Sequence, residues 1–201
     1  MNSVRIGAIV EGHGECEAVP VLIRRIAGRV DASIVPELLS PFRVPLTKLR
    51  KDGELERYTA FVAAKLQRVG GIVVLADCDW ADGCPAVDGP ILQKRAVSAC
   101  GDLPITVVLA RYEFEAWFLA AAESLRGHRG LPDDLEPPAY PERIRGAKEW
   151  LSDRMPEGRS YSEAIDQPAL AAVFDIDTAR RADSFDKFYR DVEKMLNRLR
   201  S

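Results

Sequence analysis

The sequence predicts an α/β protein with a mainly parallel sheet, helices on both faces and a helical C-terminal part. Three apolar runs, over residues 4–10, at the start of 71–80 and over 105–110, are rich in Val and Ile and lack polar alternation, as strands buried on both faces do. Amphipathic helical stretches separate them, and strand–helix–strand order argues right-handed crossovers. Acids stand directly after each run, where parallel sheets bind their ligands.

In chain order, Val4–Val10 is the first strand. A helix follows from about Glu15 to Val30, with Val19, Leu22, Ile23, Ile26 and Val30 on one face. Residues 32–39 form a weaker strand interrupted by Pro36, and 41–52 a loop carrying Arg43, Lys48, Arg50 and Lys51. A second helix, 53–69, aligns Leu55, Tyr58, Val62, Leu66 and Val69 before Gly70-Gly71 ends it. After the central strand a turn-rich loop leads to a helix starting near Pro90, where proline suits the first turn. Ile105–Ala110 is the next strand, passing quickly into helix through 111–119. Residues 127–142 are rich in Pro, Gly and acid without periodicity, a linker or long loop. Helices are expected over 143–155, 168–174, 176–181 and 184–200. The organisation is thus a core over 1–126, the loop, and a helical cap over 143–201.

At 201 residues the chain can fill one core, and 47% hydrophobic with 29% charged residues excludes a disordered class. Lys+Arg 28 against Asp+Glu 31 leaves a net charge of −3, so no global field captures nucleic acid. Binding of nucleic acid would rest on local basic residues and metal. Four cysteines without framework spacing, no secretory signal and no bilayer-length apolar run predict a reduced, cytoplasmic protein that does not enter a membrane. Oligomeric state is not readable from this pattern.

The chemistry lies at the strand ends: Glu11 after the first, Asp77 and Asp79 at the second, Glu113 and Glu115 after the third. The i, i+2 spacing of Asp77 and Asp79 points both carboxylates the same way. Carboxylates about 4 Å apart repel by about 4 kcal/mol at an effective dielectric of about 20, which a hard cation such as Mg²⁺ relieves. The plainer alternative is a pair of solvated turn aspartates. Glu11, Asp77 and Asp79 are the candidate catalytic and metal residues, with Glu113 and Glu115 holding a second ion or orienting a water. Glu115 has a second, structural reading as a carboxylate in a first helical turn. Arg111, His13, Lys148 and Lys187 are candidate phosphate or substrate contacts; for both lysines a solvated helix face is the favoured reading.

Glu11-Gly12 followed by an acid, with a later strand ending in Asp77-x-Asp79, resembles the Toprim superfamily over about residues 4–110. Arg111-Tyr112-Glu113-Phe114-Glu115-Ala116-Trp117 is similar to the Arg-x-Glu-x-Glu-Ala-Trp signature of a small, stand-alone bacterial Toprim-like family of unknown function. Tyr161 and Ser184-Phe185-x-Lys187-Phe188 are similar to that family's C-terminal pattern. One departure is Gly14-Glu15 after His13, where the family often has Thr-Glu. The resemblance implies a Toprim-like, Rossmann-like sheet, Glu11 as general acid/base or metal ligand, and Asp77 and Asp79 binding Mg²⁺ or Mn²⁺. It implies cleavage of a nucleic-acid phosphodiester in a phage-defence or toxin role. The alternatives are a phosphohydrolase or nucleotidyl transferase acting on a small nucleotide, or a metal-binding module working with a partner protein.

Other motifs fall short. Gly12-His13-Gly14 is not a dinucleotide fingerprint, because position 17 is Glu. His13 with Cys16, or Cys78 with Cys84, matches no strong zinc spacing, and Cys16 lacks an evident base.

Overall fold

A computed structural model describes residues 4–200, so the outermost limits of the expected core and cap, 1–3 and 201, lie outside it. The chain forms β1 (Arg5–Val10), α1 (Glu15–Val30), β2 (Glu37–Leu38), β3 (Phe42–Arg43), α2 (Leu46–Leu49), α3 (Glu54–Lys65), β4 (Gly71–Cys78), α4 (Pro85–Ser98) and β5 (Ile105–Arg111). After these come α5 (Ala116–Ala120), α6 (Ala147–Ser152), α7 (Glu163–Val173), α8 (Ile176–Ala179) and α9 (Asp183–Arg200), with short 3₁₀ turns between α5 and α6. The five strands make one all-parallel sheet in the order β2-β1-β4-β5, with β3 also pairing β1. The fold is Rossmann-like α/β.

Strand alternation sorts the core into two layers. Ile6, Ala8 and Val10 with Val73, Leu75, Val108 and Ala110 face α1 and the C-terminal helices. Ile9, Ile72, Val74, Ala76, Val107 and Leu109 face α3 and α4 through Leu55, Val62, Leu66, Leu92 and Ala96. Gly7 permits that second layer: a Cβ there would lie 2.4 Å from Val62 Cγ1. β5 is an edge strand, and Gln93 covers it, donating to Ile105 O at 2.7 Å and accepting from Val107 N at 2.7 Å. That contact blunts an open sheet edge.

The C-terminal helices share the first layer's core. Trp117 packs against Phe185 and Phe188, ring centroids 5.1 and 5.3 Å apart, and its indole donates to Ser184 Oγ at 2.8 Å. Leu131 and Leu135 of the Pro-rich stretch are buried in the same cluster, and its Glu142 accepts from Asp183 N and Ser184 N at the start of α9. Residues 127–142 therefore form a packed loop between elements of one core.

Several boundaries differ from expectation. The weak strand of 32–39 shortens to β2, and the expected 41–52 loop holds β3 and α2; the short strands β2 and β3 both pair with β1. α3 stops at Lys65 because Gln67 and Arg68 adopt left-handed φ of 55° and 57°. α4 begins at Pro85, not near Pro90, and Asp88 accepts from Cys84 N at 2.8 Å to close its first turn. The expected 143–155 helix shortens to α6, while α7 starts ahead of Pro168. No helix among the described residues is long and apolar enough to cross a membrane.

Candidate functional site

The acids gather at the carboxyl edge of the sheet, where β1, β4 and β5 end side by side. Glu11 leaves β1 and bridges two elements: one oxygen accepts from Asp77 N at 3.3 Å, the other from Leu46 N at 3.2 Å at the start of α2. Burial is the main cause that raises its carboxyl above the ordinary range, and Asp79 adds to it against those two N–H groups. Glu15, 2% exposed at the start of α1, accepts from Glu11 N and Gly12 N at 2.8 and 3.0 Å. It therefore sets the loop that carries Glu11.

Asp77 lies in the last turn of the β4 pleat on the face shared with Val73 and Leu75. Its Oδ1 accepts from Phe114 N at 2.8 Å. That approach is made possible by Tyr112, whose left-handed φ of 63° reverses the chain after β5. Burial, then the charges of Glu15 and Glu115, pushes the Asp77 carboxyl well above its usual range. Asp79, beyond the strand, is exposed and carries no hydrogen bond or ion pair among the described residues.

The remaining acids have other work. Glu113 accepts from Gly146 N at 2.9 Å and Lys148 N at 3.1 Å, capping α6. Both its oxygens accept there, so in the structure Glu113 serves as the cap of α6. Glu115 is fully buried and accepts from Tyr161 Oη at 2.8 Å and Gln167 Nε2 at 3.0 Å; its other oxygen and Gln167 Oε1 have no hydrogen-bond partner. It stands at the N-terminal cap of α5, as its structural reading has it, and is also the centre of an interior network. Burial pushes both Glu15 and Glu115 up to about 7.

Lys148 overturns its expected place on a solvated face. Its ammonium pairs with Glu163 at 2.7 Å and faces Glu115 and Asp77 as well. Burial opposes its charge, yet these acids outweigh burial and raise its pKa. A single lysine thus offsets a group of converging carboxylates. Lys187 is placed elsewhere, paired with Asp191, which also accepts from Thr106 Oγ1 at 2.6 Å. Arg111 registers with Cys78, so the pleat turns it to the face opposite Asp77, where it lines a separate cleft. His13 is exposed on the loop beside Glu11. Cys78 is buried, its thiol pushed up to about 12 by burial, which leaves little thiolate to act as ligand or nucleophile. Among the described residues no three His, Cys, Asp or Glu side chains form a ready metal cage.

A model of a family described as a domain of unknown function (DUF4276) matches residues 10–193. The chain belongs to this family. No curated protein and no solved structure matches the chain. The matched span holds Glu11, Asp77, the Glu113–Trp117 segment, Lys148 and Tyr161, so the family's extent includes the whole acid network. Sequence reasoning had no hold on Glu15, Glu163 and Gln167 as members of it. The available signal was the i, i+4 spacing of Glu163 and Gln167, which sets both on one face of α7.

Proposed function

We propose that this chain is a Toprim-type phosphodiesterase that uses Mg²⁺ or Mn²⁺ to hydrolyse nucleic acid, with Glu11, Asp77 and Asp79 as its working carboxylates. The observation that carries this reading is the joining of the β1 and β4 ends: the Glu11 carboxylate accepts from Asp77 N at 3.3 Å, and Asp79 follows at the same strand end. Carboxylates gathered on adjoining strand ends offer a cation hard oxygen ligands.

The donor set fits a hard divalent ion. Asp79 is uncommitted, and Asp77 uses only Oδ1 internally among the described residues. Mg²⁺ commonly takes one or two carboxylates and keeps waters, so a closed protein cage is not required. Bound there, the ion supplies polarisation of phosphoryl oxygens and a lower pKa for an attacking water. Glu11, with its carboxyl raised by burial, accepts a proton near neutral pH more readily than an exposed glutamate. Glu15 holds Glu11 in place through its backbone. Lys148, half-buried among the acids, offsets charge that builds on the phosphoryl group.

Cleavage of labelled single-stranded DNA, duplex DNA and RNA during Mg²⁺ and Mn²⁺ titration tests the reading. Metal-dependent cleavage that Asp77→Asn and Glu11→Gln both abolish is expected. Turnover confined to mononucleotides would move the site to a small-nucleotide enzyme, and ion binding without turnover to a partner-dependent module. Either result overturns the nuclease assignment.

A further inference from the structure

At the same carboxyl edge of the sheet, between the end of β5, the Pro141–Arg143 turn and the start of α9, lies a cleft of about 410 Å³ lined by Arg111, Tyr140, Arg143 and Arg181. Its acids offset little of that charge. Glu142 is committed to Asp183 N, Ser184 N and the Ser184 hydroxyl, and Asp183 opens α9, where a carboxylate is already favoured by the helix end. Arg145 extends the same surface: its guanidinium stacks 4.0 Å from the Tyr112 ring centroid, with Arg111 on that ring at 5.1 Å. Arg143 lies 4.5 Å from the ring of Tyr140, which is 63% exposed. None of these four arginines has a carboxylate within 4.0 Å among the described residues. Most other long cations near the cap are paired, as Lys148, Lys187, Arg180 and Arg190 are. Glu113, two residues beyond β5, accepts from Gly146 N and Lys148 N, which ties the segment after Arg145 to the same end of the sheet that carries the acids.

We propose that this cleft holds a single strand of nucleic acid leading to the acid site, with phosphates on Arg111, Arg143, Arg145 and Arg181 and a base on the Tyr140 ring. Planar, unpaired guanidinium groups match phosphate with two parallel hydrogen bonds. An exposed ring beside them stacks on a base only if that base is free of its duplex partner, as single strands allow. A net charge of −3 supplies no overall field to draw in a duplex, whereas four local contacts suit a short single strand. The assignment rests on the nuclease reading of the neighbouring acids for its purpose, but its test does not.

The test is fluorescence anisotropy of the full chain with a labelled oligothymidylate of about 12 nucleotides in chelator, so that no cleavage occurs. Binding should weaken with salt at a log–log slope of about 3 for four phosphate contacts. Arg143→Ala with Arg181→Ala should weaken binding at least tenfold. Tyr140→Ala should weaken it severalfold, Tyr140→Phe should restore it, and Arg24→Ala, on the exposed side of α1, should leave it unchanged. A hairpin duplex that binds as tightly overturns the proposal, as do thymidine monophosphate or polyglutamate competing as well as the oligomer. Absence of oligomer binding, or variants that bind like the wild type, overturns it too. Metal-dependent cleavage surviving that failure would leave the acid-site reading standing; strand binding without any cleavage would do the reverse.

Discussion

The phenol of Tyr161 donates to the carboxylate of Glu115 at 2.8 Å, joining the segment ahead of α7 to the turn after β5. Glu115 is fully buried, and Gln167 shares the same oxygen from α7. The bond holds the C-terminal helices against the reactive edge.

Removing it should be costly. Tyr161→Phe removes one of the two donors to a buried carboxylate oxygen, a loss of about 1–3 kcal/mol. Urea denaturation reads it directly. In a Glu115→Gln background the loss should shrink, and the double-mutant cycle isolates the coupling. Equal losses in both backgrounds would show that the two groups act independently.

Stability should fall as pH rises through the range from the ordinary glutamate value of 4.5 to about 7, where Glu15 and Glu115 titrate in the folded chain. Within that window the folded state holds protons the unfolded chain has already lost, so deprotonation favours unfolding. Asp77, also raised, acts in the same direction. Denaturant midpoints in chelator should therefore be higher near the lower edge of the window than above it. Glu15→Gln and Glu115→Gln should each flatten the slope; a midpoint that climbs across the window contradicts the assignment.

Asp77→Asn should separate function from stability. Asparagine keeps the acceptor for Phe114 N while removing a charge that Glu15 and Glu115 oppose. The variant should fold at least as stably as the wild type near neutral pH while losing cleavage, as read by urea denaturation beside the cleavage assay. Mg²⁺ should raise the melting temperature of the wild type and not of the variant. A destabilised variant would mean that Asp77 serves the fold instead.

Gly14 should be intolerant for reasons of space. Its φ of −65° suits any residue, but a Cβ would lie 2.2 Å from Gln167 Oε1 and 2.3 Å from Glu163 O. Gly14→Ala must push α1 from α7, at a cost of about 1–3 kcal/mol, and should lower activity by moving Glu15 and Glu11. Gly28→Ala in α1, with nothing within 4 Å of the new methyl, should instead stabilise by about 0.5–1 kcal/mol. Similar thermal shifts for the two would refute the close-approach argument.

The three long strands, α1 and α9 were legible because their signals are local: an apolar run has only one economical place in an α/β sheet, and a 3.6-residue stripe has one face to bury. The strand-end position of Glu11, Asp77 and Asp79 was legible for the same reason. Strand alternation also decides that Arg111, level with Cys78, turns away from Asp77, but reading it needs the β4–β5 register.

The fates of the other acids were decided only in three dimensions. Glu113 caps a helix 33 residues on, Glu115 meets Tyr161 46 residues on and Gln167 52 residues on, and Lys148 reaches Asp77 from the far side of the packed loop. A carboxylate's role depends on which donors, cations and solvent surround it, and those partners arrive from distant segments once the core closes. Sequence alone determined a parallel α/β sheet with acids at its carboxyl edge. Tertiary packing decided which acids are committed to partners and which stay open, because hydrogen bonds and burial are set by the neighbours that folding supplies.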